Sequence, residues 1–145
     1  MTIEITVSHD EDGDYEDVVE GIVDGAAAKL GVPFDPKRLY LRALDADGHL
    51  VGGLTAHTVQ GWLFVKLLGV KEGQRGTGTG RKLLARAEAF ARSEGMVGVY
   101  LDTFEFQAPR FYESLGYSEF GRLPAAGGKP QRIWLARILD AKEEA

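Results

Sequence analysis

The period of hydrophobic and polar positions changes several times along the chain. Ile3, Ile5 and Val7 alternate with Thr2, Glu4 and Thr6, which predicts a half-buried strand. Tyr15, Val18, Val19, Ile22, Val23, Ala26 and Leu30 then recur at helical spacing, with Asp14 as the expected N-cap and Gly31 followed by Pro33 as the stop. Alternation returns in two strands, Leu39–Leu44 and Leu50–Val59, and the Asp-Gly step of Asp45-Ala46-Asp47-Gly48 suits a tight hairpin turn between them. Trp62–Val70 is almost continuously apolar, broken only by Lys66, and reads as a strand buried on both faces. Leu83, Leu84, Ala87, Phe90 and Ala91 mark a second amphipathic helix that Gly95 stops. Val97–Thr103 is a further strand. A short helix follows, with Pro109 in its first turn, Phe111, Tyr112 and Leu115 as its body and Gly116 as its end. Strands at Tyr117–Leu123 and Gln131–Ile138 close the pattern. The order is β-α-β-β-β-α-β-α-β-β, an α/β chain with a mixed sheet. The unit from Trp62 to Thr103 is expected as a right-handed parallel crossover, with antiparallel hairpins elsewhere.

Composition narrows the function classes. The 145 residues suit one domain, and no linker or repeat divides residues 1–145. A net charge of −5 argues against a general nucleic-acid binder. The absence of cysteine removes a disulfide framework, a thiolate zinc site and a cysteine nucleophile. The acidic N-terminus lacks a signal-peptide layout, and no apolar run approaches the roughly 18 residues of a membrane span, so a cytoplasmic protein without a membrane partner is expected. The 19 glycines exceed ordinary usage. Part of that excess sits in one place.

Gln74-Arg75-Gly76-Thr77-Gly78-Thr79-Gly80-Arg81 lies between the apolar strand and the second helix. Glycine at alternate positions permits positive φ and leaves successive N–H groups bare to converge on an anion. The helix start adds its own unpaired N–H groups and the positive end of its dipole. Arg75, Arg81 and Lys82 add charge. The pattern describes a diphosphate cradle, although neither a Walker loop nor the GxGxxG dinucleotide motif fits: Thr79-Gly80 stands where Lys-Ser/Thr is needed, and Arg81 where the last glycine is needed. A phosphate-bearing ligand other than ATP or NAD is favoured.

Arg75, Gly78 and Gly80 fit the Arg/Gln-x-x-Gly-x-Gly/Ala loop of the GNAT N-acetyltransferases, and Phe111-Tyr112-Glu113-Ser114-Leu115-Gly116-Tyr117 resembles that family's FYEKLGF segment at the expected distance downstream. The element order resembles the family's fold along nearly the whole chain. The resemblance implies acetyl-CoA as co-substrate, an amine acceptor, and direct transfer in a ternary complex. It implies that pantetheine lies along Leu68, Gly69 and Val70, and that Arg75, Gly76, Thr77, Gly78, Thr79, Gly80 and Arg81 take the pyrophosphate. A homodimer is compatible with it, and no metal is implied. The same fold retaining CoA as a sensor without turnover is the alternative.

Tyr112 matches the tyrosine that serves many such enzymes as general acid on the departing thiolate, a task a phenol can perform because it donates a hydrogen bond as charge builds on sulfur. For the general base the candidates, in order, are Asp102, Glu105 and His57. Glu105 stands seven residues before Tyr112, where the family commonly has a CoA-contacting asparagine. Parity alone leaves open which side of its strand Asp102 faces. Asp10, Asp12 and Asp14 imitate the start of a calcium loop, but Tyr15 and Gly21 stand where glycine and glutamate are needed, so they read as solvated charge and a helix cap. Trp62 and Trp134 read as strand packing, and 141–145 as a frayed tail.

Overall fold

The computed structural model describes residues 2–9 and 13–139, and the chain divides into two compact units, 1–34 and 35–145. In the first unit, helix α1 (Gly13–Lys29) covers the predicted helical pattern. It begins one residue before Asp14, so Asp14 is not the cap; with Glu16 it lies in the first turn, where acids face the positive end of the dipole. Residues 2–9 form no strand, and Ile3, Ile5 and Val7 are exposed. The expected leading strand fails for a simple reason: alternation only becomes a strand when a neighbour supplies the ladder, and the described residues of this unit contain no strand. Asp10, Asp12 and the tail at 141–145 lie outside the described residues.

Among the described residues, the second unit is a six-stranded sheet with two α-helices. Its strands are β1 (Arg38–Leu44), β2 (Leu50–Val59), β3 (Trp62–Val70), β4 (Gly98–Phe104), β5 (Ser118–Arg122) and β6 (Arg132–Ile138), in the spatial order β1-β2-β3-β4-β6-β5. Helix α2 (Thr79–Ser93) connects β3 to β4, and α3 (Pro109–Ser114) connects β4 to β5. Only β3 and β4 pair in parallel; the other ladders are antiparallel.

Local chemistry explains the corners. In the first hairpin, Asp45 Oδ1 accepts the N–H groups of Asp47 and His49, both at 2.9 Å. In the second, Gln60 and Gly61 have φ of 44° and 89°, the two positive values a two-residue type I′ turn demands. All three helices end as their glycines predict. The N–H groups of Val32, Met96 and Tyr117 reach back to the carbonyls of Ala27, Ala91 and Tyr112 at 3.1, 2.9 and 3.1 Å, across Gly31, Gly95 and Gly116 in the left-handed region.

The apolar stripe of α2 (Leu83, Leu84, Ala87, Ala91) packs with Leu54, Ala56, Leu63, Val65, Val99, Leu101, Ile133 and Leu135 from four strands. Each fully buried leucine there contributes roughly 1.5–3 kcal/mol. β3 departs from the expectation of burial on both faces. Leu63 and Val65 are buried, but Lys66 and Leu67 are exposed. A bulge sets Thr55 against Leu67 and Ala56 against Val65, which leaves Lys66 over, and the pairing with β4 stops at the same level. Among the described residues, no helix is long and apolar enough to cross a membrane.

Candidate active site

The β3–β4 ladder consists of Trp62↔Gly98, Leu63↔Val99, Phe64↔Tyr100 and Val65↔Leu101. Beyond Val65, β3 keeps β2 on one side while β4 continues against β6. The strands therefore part, and the edge carrying Leu68, Gly69 and Val70 is left without a strand partner on its β4 side among the described residues. Such an edge offers a row of N–H and C=O groups to an extended ligand.

The chain leaves this edge through a single 3-10 turn, Glu72–Gln74, and enters α2. Gly76 and Gly78 have φ of 81° and 83°. Thr77 Oγ1 donates to the Gln74 carbonyl at 2.6 Å and lies 2.8 Å from Thr79 Oγ1, which stiffens the loop. Gly78 is the N-cap and brings no capping side chain. The first helical bond runs from the Lys82 N–H to the Gly78 carbonyl at 3.0 Å, so the N–H groups of Thr79, Gly80 and Arg81 open toward the helix start. Arg75 and Arg81 are exposed beside them. Gly80 has a different purpose from the other two glycines. It is helical, and a Cβ there would lie 3.3 Å from Phe111 Cζ and 3.7 Å from Val70 Cγ2, so its bareness lets α3 approach α2.

Tyr112 lies in the body of α3. Its ring stands edge-on to Phe111 and Tyr117, with centroids 5.1 and 6.1 Å away. Burial, and then the charge of Asp102, push its phenol above the ordinary value. The hydroxyl keeps its proton through the neutral range and is available as a donor.

Comparison with known proteins identifies the family. Residues 11–117 match the model of the Acetyltransferase (GNAT) family. The chain belongs to the GNAT acetyltransferase family. It is 40% identical over 103 residues to the acetyltransferase Atu2258 of Agrobacterium fabrum (strain C58 / ATCC 33970), covering 71% of this chain and 75% of that one. It is 49% identical over 78 residues to the blasticidin-S acetyltransferase of Streptomyces morookaense, covering 53% of this chain and 57% of the relative. Among solved structures, a candidate acetyltransferase from Agrobacterium tumefaciens superposes with a TM-score of 0.85 at 32% identity, over 94% of this chain and 100% of that one. The mixed sheet with its parallel β3–β4 crossover is thus a GNAT fold, and the chain is an acetyltransferase of that family.

Within the GNAT frame, the base candidates occupy three different places. Val99, Leu101 and Thr103 are buried on the α2 face of β4, which puts Asp102 on the other face. Asp102 Oδ1 accepts from Arg132 Nε at 3.0 Å and forms an ion pair with an Arg132 Nη 2.9 Å away, and the Arg132 guanidinium lies 5.0 Å over the Trp134 ring. Trp134 is therefore engaged by a cation from its own strand. Glu105 is exposed in the turn after β4, its N–H donating to the Gln131 carbonyl at 3.0 Å and its charge acting on Arg122. His57 is on β2, with its ring edge-on to Phe64 at 5.6 Å; burial, then Arg38, then Lys66 lower its pKa.

The sequence reading missed Gln107. Its Oε1 accepts from Thr103 Oγ1 and from the Phe104 N–H, both at 3.1 Å, and so shapes the turn that returns α3 toward the sheet. It also missed Glu88, whose signal was available: a carboxylate standing in the apolar stripe of α2. A groove of about 970 Å³, lined by Val59, Trp62, Tyr100, Phe120 and Ile138 among others, lies at the far ends of β3 and β4 and includes none of the predicted site residues.

Proposed function

We propose that this enzyme transfers the acetyl group of acetyl-CoA to a primary amine by direct attack within a ternary complex. The observation that carries the reading is the parting of β3 and β4 after Val65↔Leu101, with a bare helix start at the end of the freed edge. Backbone groups of Leu68, Gly69 and Val70 hold the pantetheine arm. The loop from Arg75 to Arg81 holds the pyrophosphate through its N–H groups, the α2 dipole and two guanidinium groups. Tyr112 donates its phenolic proton to sulfur as the C–S bond breaks and the new C–N bond forms. Asp102, facing away from α2, takes the proton of the attacking amine through water. Glu105 and His57 rank behind it, since Glu105 is exposed in the turn beyond β4 and His57 sits on β2. We read both units, 1–34 and 35–145, as parts of one catalytic domain acting in the cytoplasm; the family match runs through both.

The acceptor is sought by incubating the protein with acetyl-CoA and a panel of amines while following free thiol. The panel includes polyamines, a lysine peptide, aminoglycosides and blasticidin S, the last because one relative carries that name. Acceptor-dependent thiol release with an acetylated product by mass is expected. In Tyr112→Phe, kcat is expected to fall by about 10²–10⁴ while the Kd for acetyl-CoA stays nearly unchanged. Release that is the same with and without every amine would refute the transferase mechanism.

A further inference from the structure

Glu88 is a carboxylate on the buried side of a helix, only 7% exposed among Leu84, Ala87 and Ala91. Each of its oxygens has its own partner. Oε1 accepts from an Arg137 Nη at 3.0 Å, and Oε2 accepts the Tyr117 hydroxyl at 2.8 Å. Tyr117 is itself only 2% exposed. A buried ion pair is weak evidence for stability, because desolvation offsets much of the attraction and apolar side chains of similar size often replace it without loss. Its value lies in where it fixes the groups it joins.

Those groups surround α3. Tyr117 follows the helix directly; its N–H donates to the Tyr112 carbonyl at 3.1 Å, and its ring stands edge-on to the Tyr112 ring. Gly116, between them, lies against Arg137, with 3.3 Å from a built Cβ to Arg137 Nε. At the other side of α3, Phe111 rests on Gly80 in the first turn of α2. A six-residue helix cannot hold its own direction, since so short a helix has little stability of its own. α3 is therefore gripped twice by α2: at Gly80, beside the phosphate loop, and two turns later at Glu88.

We propose that Glu88, acting through Tyr117 and Arg137, is a positioning residue that sets the angle at which α3 presents the Tyr112 hydroxyl to the freed edge of β3. The proposal rests on the reading of Tyr112 as proton donor. Removing the Tyr117 hydroxyl leaves the core packed but frees the α3 corner to tilt, and a displacement on the order of 1 Å at a reacting group can cost up to about 100-fold in rate. The substituted hydroxyl lies away from the loop proposed to bind phosphate, and the contact of Phe111 with Gly80 remains. Loss of rate without loss of binding follows.

The test is a double-mutant cycle on thiol release from acetyl-CoA, measured with the fastest amine of the panel and with water alone as acceptor. The four proteins are the native chain, Tyr117→Phe, Tyr112→Phe and the double variant. Tyr117→Phe is expected to lower kcat by about 10–100-fold, with the Kd for acetyl-CoA within about twofold of native. Added to Tyr112→Phe it is expected to change little, because there is no longer a hydroxyl to position. Losses that multiply in the double variant, or a fully active Tyr117→Phe beside an impaired Tyr112→Phe, would overturn the positioning role and leave the Tyr112 reading intact. A fully active Tyr112→Phe would overturn both. If Tyr117→Phe does not fold by circular dichroism, Glu88→Gln takes its place in the same cycle, since it removes the charge that holds both Tyr117 and Arg137; a fully active Glu88→Gln beside an impaired Tyr112→Phe would overturn the proposal.

Discussion

His57 shows how a single side chain carries its surroundings into a measurable property. Burial and two cations, Arg38 and Lys66, disfavour its protonated form. Its folded-state pKa thus lies below its ordinary value, and the unfolded chain binds the proton more readily. Stability contributed by this residue is full above the ordinary value near 6.5 and declines as pH falls from there through the folded value. The melting temperature is expected to drop between pH 7.5 and 5, and His57→Gln is expected to flatten part of that drop. Identical pH profiles for the two proteins, followed by thermal denaturation, would count against this account. The phenol of Tyr112 shifts the opposite way: burial and the charge of Asp102 raise its pKa, so it keeps its proton, as the proposed donor role requires.

At the scale of the element, α2 is the organising piece. Its apolar stripe was legible from spacing alone, and so was the glycine-rich entry that leaves its N–H groups bare. What that entry does can be separated into backbone and charge. Gly78 has φ of 83°, and a Cβ built there meets nothing within 4 Å. Asn and Asp tolerate the left-handed region comparably, so both variants carry a similar backbone cost and no packing cost. Only Asp adds a negative charge at the positive end of the dipole, where the pyrophosphate is proposed to sit. Gly78→Asp is expected to bind acetyl-CoA about 5–30-fold more weakly than Gly78→Asn, the size of a dipole-and-charge effect of about one to two kcal/mol. Isothermal titration of both decides it; equal dissociation constants would contradict the cradle.

Over the whole molecule, the freed edge and the helix start are consequences of topology. One parallel pairing in an otherwise antiparallel sheet brings the end of β3 and the start of α2 to the same rim. A ligand spanning both is expected to stabilise the folded state by RT ln(1 + [L]/Kd), about 2.7 kcal/mol at a hundredfold excess over Kd. Acetyl-CoA and desulfo-CoA are both expected to raise the melting temperature, since most of the proposed contacts are to pantetheine and phosphates. The absence of a shift with either at millimolar concentration would end the CoA assignment.

Some features of this protein follow from residues that are neighbours in the chain. Turn chemistry and periodicity placed β1, β2 and β3 to within a residue. The three helix-ending glycines were legible because a left-handed residue after an apolar stripe is a local event. Gly76 and Gly78 were legible for the same reason. Other features depend on groups brought together from a distance. Asp102 and Arg132 are 30 residues apart, and Glu88 and Tyr117 are 29 apart. No local pattern records such pairings, because they exist only once α2 and the strands have assembled around one core. Alternation at Ile3, Ile5 and Val7 looks like a strand, yet a strand is a property of two segments, and among the described residues no ladder partner pairs with 2–9. The exposure of Lys66 and Leu67 has the same origin. An apolar run signals burial only where a neighbour covers it, and where β4 turns aside to β6 that cover is withdrawn, which opens the edge on which the proposed chemistry depends.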